Sequence, residues 1–102
     1  LKVRILSVAE AEATEAALHY EQRRPGLGER FLDELEHALA RIRHDPELLA
    51  RVENYAGPYD VRRCMLHRFP YIVVFLIHGE EAVVIAVSDA RRRPFYWLDR
   101  LN

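Results

Sequence analysis

Three consecutive arginines, Arg91, Arg92 and Arg93, stand where an apolar stretch runs into a proline and three aromatics, in "VSDARRRPFYW" (87–97). A guanidinium keeps its charge at any working pH and presents a planar fork of donors, so neighbouring arginines suit recognition of phosphate or carboxylate. Arg62 and Arg63 in "VRRCML" and Arg68 in "RFP" complete a candidate anion-binding set of six. The alternative for the same residues is that they pair with Asp60, Asp89 and Asp99 or simply solvate a sheet edge. Among the histidines, His19, His37 and His44 fall among charges on outer helix positions, and His67, beside Arg68, is the one acid/base candidate. No nucleophile elbow, phosphate-cradling glycine loop or paired carboxylates in a clear site context appear, which argues against a stand-alone metabolic enzyme. Cys64 is the only cysteine, so no intrachain disulfide can form, and no Cys/His spacing matches a zinc site. Neither a metal nor another cofactor is expected.

These residues must be positioned by a chain of 102 residues, read as one unit over 1–102. "KVRILSV" (2–8) reads as a short strand. Ser7 and Glu10 have the spacing of a capping box, which starts a helix near Val8. Its apolar stripe is Ala9, Ala13, Ala16, Ala17 and Tyr20, with Glu10, Glu12, Glu15 and Glu21 assigned to other faces. "RRPGLG" (23–28) ends it. A second helix from Leu27 or Gly28 to His44 carries Phe31, Leu35, Ala38, Leu39 and Ile42 on one side. So short a turn makes the two helices an antiparallel hairpin with one apolar side.

Three β-rich runs at 59–66, 71–78 and 82–88 supply the layer beneath it, with "HGEE" (78–81) as a tight turn. The predicted fold is α+β in the order β-α-α-β-β-β. The helix hairpin packs on one face of an antiparallel sheet, and a closing helical turn lies within 94–101. Arg62 and Arg63, being adjacent on a strand, point to opposite faces and cannot act as a pair. The later strands are apolar on both sides, yet two helices cover only one face. Either Phe95, Tyr96, Trp97 and Leu98 fold back over the remainder or a partner covers it.

Net charge is −1, which gives no reason by itself to expect nucleic acid or membrane. The distribution is uneven: residues 1–55 carry 8 basic and 11 acidic side chains, and residues 56–102 carry 7 basic, all arginine, and 5 acidic. The second half is therefore the better candidate for an anionic partner. The longest apolar run, "YIVVFLI" (71–77), is too short to span a bilayer, and the first residues lack the pattern of a secretory leader. With the single cysteine, this points to a reducing cytosol.

In order, "HYEQRRPGLGERFLDELEHALARI" (19–42), "VRRCMLHRFPYIVVFLI" (61–77) and "VVIAVSDARRRPFYW" (83–97) resemble the RelE/ParE superfamily of toxins from bacterial type II toxin–antitoxin modules, often labelled plasmid stabilization proteins. The similarity covers nearly the full chain. It implies the same β-α-α-β-β-β fold and a cytoplasmic toxin held in a hetero-oligomer by a cognate antitoxin that wraps it and covers apolar grooves. Tyr71, Val73, Phe75, Val83, Ile85 and Trp97 are the residues expected to meet that antitoxin.

Two activities are implied. On the ParE-like side the toxin binds and poisons DNA gyrase, with Arg62, Arg63, Arg68, Arg91, Arg92 and Arg93 as anionic contacts. On the RelE-like side it is a ribosome-dependent messenger-RNA endoribonuclease, in which Arg63 and Arg92 neutralise the phosphate and His67 or Tyr96 handles protons. A non-toxic, antitoxin-binding relative is the third reading. "PGLGERFLDEL" and "RFPY" resemble the ParE-like side, and Asp89 stands where many relatives carry a histidine, so the gyrase reading is preferred.

Overall fold

The computed structural model describes residues 1–101. Its order is β1 (Lys2–Ile5), α1 (Ser7–Arg23), α2 (Leu27–His44), β2 (Asp60–Met65), β3 (Tyr71–His78) and β4 (Glu81–Asp89), with 3-10 turns at Pro46–Leu48 and Leu98–Leu101. The predicted order and the closing helical turn are both present. One strand departs from the antiparallel expectation: the sheet order is β1-β4-β3-β2, and β1 runs parallel to β4. The reason lies after α2, where Ala50–Val52 runs back along the outer edge of β2. Val52 N–H donates to the Val61 carbonyl (3.0 Å) and Arg63 N–H to the Ala50 carbonyl (2.9 Å). That return leg lets β2 set out in the direction of β1, so the sheet is mixed.

The α1 stripe of Ala9, Ala13, Ala16, Ala17 and Tyr20 is buried, as is the α2 stripe of Phe31, Leu35, Ala38, Leu39 and Ile42. The capping box is not formed. Leu6 occupies the cap position in extended conformation with its N–H on the Val84 carbonyl (3.0 Å), and Ser7 is already helical. Strand pairing has claimed the residue before the helix, so the serine lies one position too late to cap. At the other end, Glu21 caps α2 from outside. Its carboxylate accepts from Gly26 N–H (3.0 Å) and Gly28 N–H (3.1 Å), placing negative charge at a helix N-terminus where it is stabilising. Gly28 has a steric reason as well, since a Cβ there would lie 2.4 Å from the Ala17 carbonyl oxygen. The two helices approach backbone to backbone at this point.

Between helices and sheet lies the larger core, with Phe31, Ile42, Val73, Phe75 and Val84 fully buried. Burial of each such side chain contributes about 1.5–3 kcal/mol relative to leaving it in water. Tyr20, Phe31, Phe69 and Tyr71 cluster at the hairpin end: Tyr20 stacks on Phe31, while Tyr20 meets Phe69 at 4.8 Å and Phe31 meets Tyr71 at 5.0 Å edge to face, between centroids. A second core covers the opposite sheet face: Val61, Val74, Leu76, Val83, Ile85 and Ala86 lie under Trp97, with Val52, Tyr55, Phe95 and Tyr96 packed around it. The alternative in which the tail folds back is the one adopted. The front of the sheet is therefore not an open apolar surface.

A β-bulge decides what the end of β4 presents. Val74 opposes Ala86 and Phe75 opposes Val84, so Ile85 is an extra residue on β4. Ile85 and Ala86 both reach the front core, whereas Val84 and Val87 face the helices. Everything beyond the bulge is thereby exchanged between faces.

Candidate functional site

Beyond the bulge, β4 leaves the sheet through Asp89 into the arginine turn. The Asp89 carboxylate accepts from Arg91 N–H (2.9 Å), an Asx-turn in which the side chain stands in for a backbone acceptor. It also pairs with the Arg91 guanidinium, Nε–Oδ1 at 3.0 Å and Nη2–Oδ2 at 2.7 Å. The hydrogen bonds from Arg91 hold the Asp89 carboxyl below the usual aspartate range despite some burial. Asp89 thus builds the turn and holds one of the three arginines.

The three arginines consequently diverge. Arg91 turns toward the helices. Arg92 lies over the Tyr96 ring, Cζ to centroid 3.9 Å, and reaches Glu12 at 3.6 Å. Arg93 is exposed and makes no ion pair among the described residues. Arg92 and Arg93 line a front cleft of about 280 Å³ together with Arg63 of β2. Its floor is Val74, Phe95 and Trp97, and its rim includes Glu53, Asn54 and Ser88. Phe95 at φ 63 occupies the left-handed region, which turns the chain sharply after Pro94 and lays Trp97 back over the sheet. Trp97 meets Phe95 at 5.7 Å and Tyr55 at 6.4 Å between centroids.

Glu12 of α1 pins this tail. Its carboxylate accepts from Tyr96 Oη (2.8 Å), from Arg100 Nη1 and Nη2 (3.0 and 3.1 Å) and from Val87 N–H (3.0 Å). Arg100 Nη1 also donates to the Ile85 carbonyl (3.0 Å). β1 accompanies β4 only as far as Val84, and these side chains satisfy the β4 edge beyond it. Burial, with further contributions that include the Glu12 contact, pushes the Tyr96 hydroxyl above its ordinary value. The hydroxyl donates its proton to Glu12, and the raised value makes it a weaker acid. Glu12, assigned from the sequence to an outward face, is only 15% exposed. The pointer was in the sequence: Arg100 is the one basic residue inside the tail "WLDRL".

The other predicted residues separate. Arg62 faces away from the front cleft, held by the carbonyls of Glu47 (3.0 Å) and Leu49 (2.9 Å) and by Asp60 (3.0 Å). Arg68 and Arg91 line a different groove beside the helix hairpin. His67 lies in a shallow depression with Glu34, His37 and Arg41, so it does not share a cleft with Arg63, Arg92 and Tyr96.

Of the six apolar residues expected to meet a partner, Val73 and Phe75 are buried under the helices, and Val83, Ile85 and Trp97 are buried in the front core. Tyr71 is partly exposed and packs against the helix-side core. The six do not form one surface. In β3 it is Val74 and Leu76, the neighbours of the chosen pair, that face front. Nothing in the local spacing of Glu53, Asn54 and Ser88 marks them; the return leg and the bulge bring them to the cleft.

Chemically, the cleft offers three guanidiniums and two carboxylates, Glu53 and the Arg91-paired Asp89, over an apolar floor, an arrangement that binds anions. The family model described as the ParE toxin of type II toxin–antitoxin systems, parDE, matches residues 3–94. A solved structure described as the chromosomal ParDE toxin–antitoxin system from P. aeruginosa shares the fold with a TM-score of 0.75. That likeness covers 87% of this chain and 95% of that one at 16% identity. No protein of curated function matches the chain at a significant level.

Proposed function

Since this chain belongs to the ParE toxin family of type II toxin–antitoxin systems, we propose that it is the toxin of such a pair, neutralised by a cognate antitoxin and acting by binding DNA gyrase. The family match over 3–94 is the observation that carries the reading. The cleft is consistent with inhibition by binding. Arg63, Arg92 and Arg93 supply fixed positive charge, while the Tyr96 hydroxyl is engaged by Glu12 and His67 lies elsewhere. Arginine forks against phosphates or carboxylates of the target provide the affinity, and Glu12 fixes the tail that carries two of them.

The test uses purified gyrase and plasmid DNA with increasing protein. Inhibited supercoiling or accumulated cleaved DNA, reversed by antitoxin, is expected; unchanged supercoiling at high excess overturns the reading. A second reading has one specific observation in its favour, because Glu53 shares the cleft with Arg63, Arg92 and Arg93. A carboxylate there could take the proton of an RNA 2′-hydroxyl as its oxygen attacks phosphorus and the 5′-oxygen departs with a proton from solvent. Cleaved messenger in a translating-ribosome assay, abolished by Glu53→Gln, would favour it over the gyrase reading.

A further inference from the structure

We propose that the groove at the closed end of the helix hairpin, separate from the front cleft, is a docking site for an acidic segment of a partner polypeptide that carries an apolar anchor. Five guanidiniums converge on a space of about 800 Å³: Arg23 and Arg24 from the end of α1, Arg30 from α2, Arg68 from the β2–β3 turn and Arg91 from beyond β4. Four separate stretches of chain bring them together. Arg91 is paired with Asp89, but none of the other four makes an ion pair among the described residues. Five guanidiniums outnumber the two carboxylates of the lining, Asp33 and Glu34, and a partner's carboxylates would relieve the remaining repulsion. Arg68 is held at φ 74, a conformation that L side chains seldom adopt, at the tip of its turn.

The choice of occupant follows from the rest of the lining. Tyr20, Leu27 and Phe69 give the groove an apolar floor, which suits an aliphatic or aromatic side chain set between acidic ones. Asp33 and Glu34 stand in the same lining and would repel an unbroken chain of phosphates, whereas a polypeptide can place an N–H or a neutral residue opposite them. The net charge of −1 provides no long-range field to draw in a nucleic acid. The α2 N-terminus cannot hold the anion, because Glu21 already takes the N–H groups of Gly26 and Gly28. Recognition therefore rests on side chains, and arginine matches a carboxylate in two-pronged geometry.

The experiment titrates the full chain with a set of labelled peptides, each a run of glutamates interrupted by one leucine or phenylalanine at varied positions. Glutamine-for-glutamate versions are the controls, and a duplex oligonucleotide is run in parallel. Micromolar binding is expected for some anchored acidic peptides, at least about tenfold weaker for their glutamine versions, since charge-assisted pairs are the stronger ones. Salt should weaken it. The double variant Arg24→Gln/Arg30→Gln, both exposed positions, should lose binding by about a hundredfold, at roughly tenfold per pair, with unchanged melting temperature.

If no acidic peptide outperforms its glutamine control, or if the double variant binds as tightly as the parent, the proposal fails. Oligonucleotide binding that disappears in the same variant would assign the groove to nucleic acid and also overturn it. The inference does not depend on gyrase. In the supercoiling assay the double variant is expected to behave as the parent, so failure of either reading leaves the other measurable.

Discussion

Glu12 and Arg100, 88 residues apart, meet in a two-pronged ion pair that fastens the tail to the first helix, at 3.0 and 3.1 Å. Both partners are mostly buried, with side chains 15% and 17% exposed, and the pair also closes the free edge of β4. Removing one member leaves the other without its partner in a poorly solvated place. Glu12→Gln should cost roughly 3 kcal/mol of unfolding free energy, as breaking a buried pair typically does. Urea denaturation checks the cost. A coupling energy near zero between Glu12→Gln and Arg100→Gln in a double-mutant cycle would contradict the pairing.

The adjacent residues Arg62 and Arg63 should give opposite phenotypes. Arg62 holds two carbonyls of the 47–49 segment, so Arg62→Ala is expected to lower stability by about 1–3 kcal/mol through unsatisfied polar groups. Arg63 lines the front cleft, and Arg63→Gln should leave the melting temperature within a degree or two. The same change should weaken gyrase inhibition by about tenfold or more. Thermal melts and the supercoiling assay, run on both variants, separate the two roles.

Asp89 gives a pH signature. Its folded-state carboxyl lies below the ordinary aspartate value, chiefly because Arg91 hydrogen-bonds to it. Its stabilising contribution is therefore complete above the unfolded value of about 3.9 and is lost as pH falls through the folded one. The stability difference between parent and Asp89→Asn should be constant from neutral pH down to about 5 and should shrink below about 4. A difference that grows on acidification would contradict the assignment.

Gly28 tests the helix hairpin. An alanine Cβ would stand 2.4 Å from the Ala17 carbonyl oxygen, which is backbone and cannot swing aside. Gly28→Ala should therefore destabilise the protein by about 1–3 kcal/mol, as overpacking does, against alanine's better helix propensity. A rise in melting temperature would mean that the helices can separate without loss.

The helices were legible because their stripes repeat at helical spacing: Ala9, Ala13, Ala16 and Tyr20 need no tertiary information to be recognised as one face. The strands were legible from β-branched runs, but the facing of β3 was not. Tyr71–His78 is apolar at nearly every position, so alternation gives no parity, and Val73 and Phe75 read as well for the front as Val74 and Leu76. The bulge at Ile85 and Ala86 is a property of pairing and has no local mark. Half of the cleft was anticipated through Arg63, Arg92 and Arg93. Glu53 and Glu12 were not, since both reach their places through contacts that span the chain.

The parallel first strand has a bearing on how this molecule comes into being. No segment before residue 81 offers β1 a strand neighbour, and Glu12 waits for Tyr96 and Arg100. Pairing across such sequence separation is slow, and synthesis reaches residue 81 and beyond only after both helices have emerged. The first strand and the first helix therefore lack their distant partners until residues 81–100 have been made. A nascent polypeptide that has not yet reached residue 100 thus carries an outermost seam that is still unsewn.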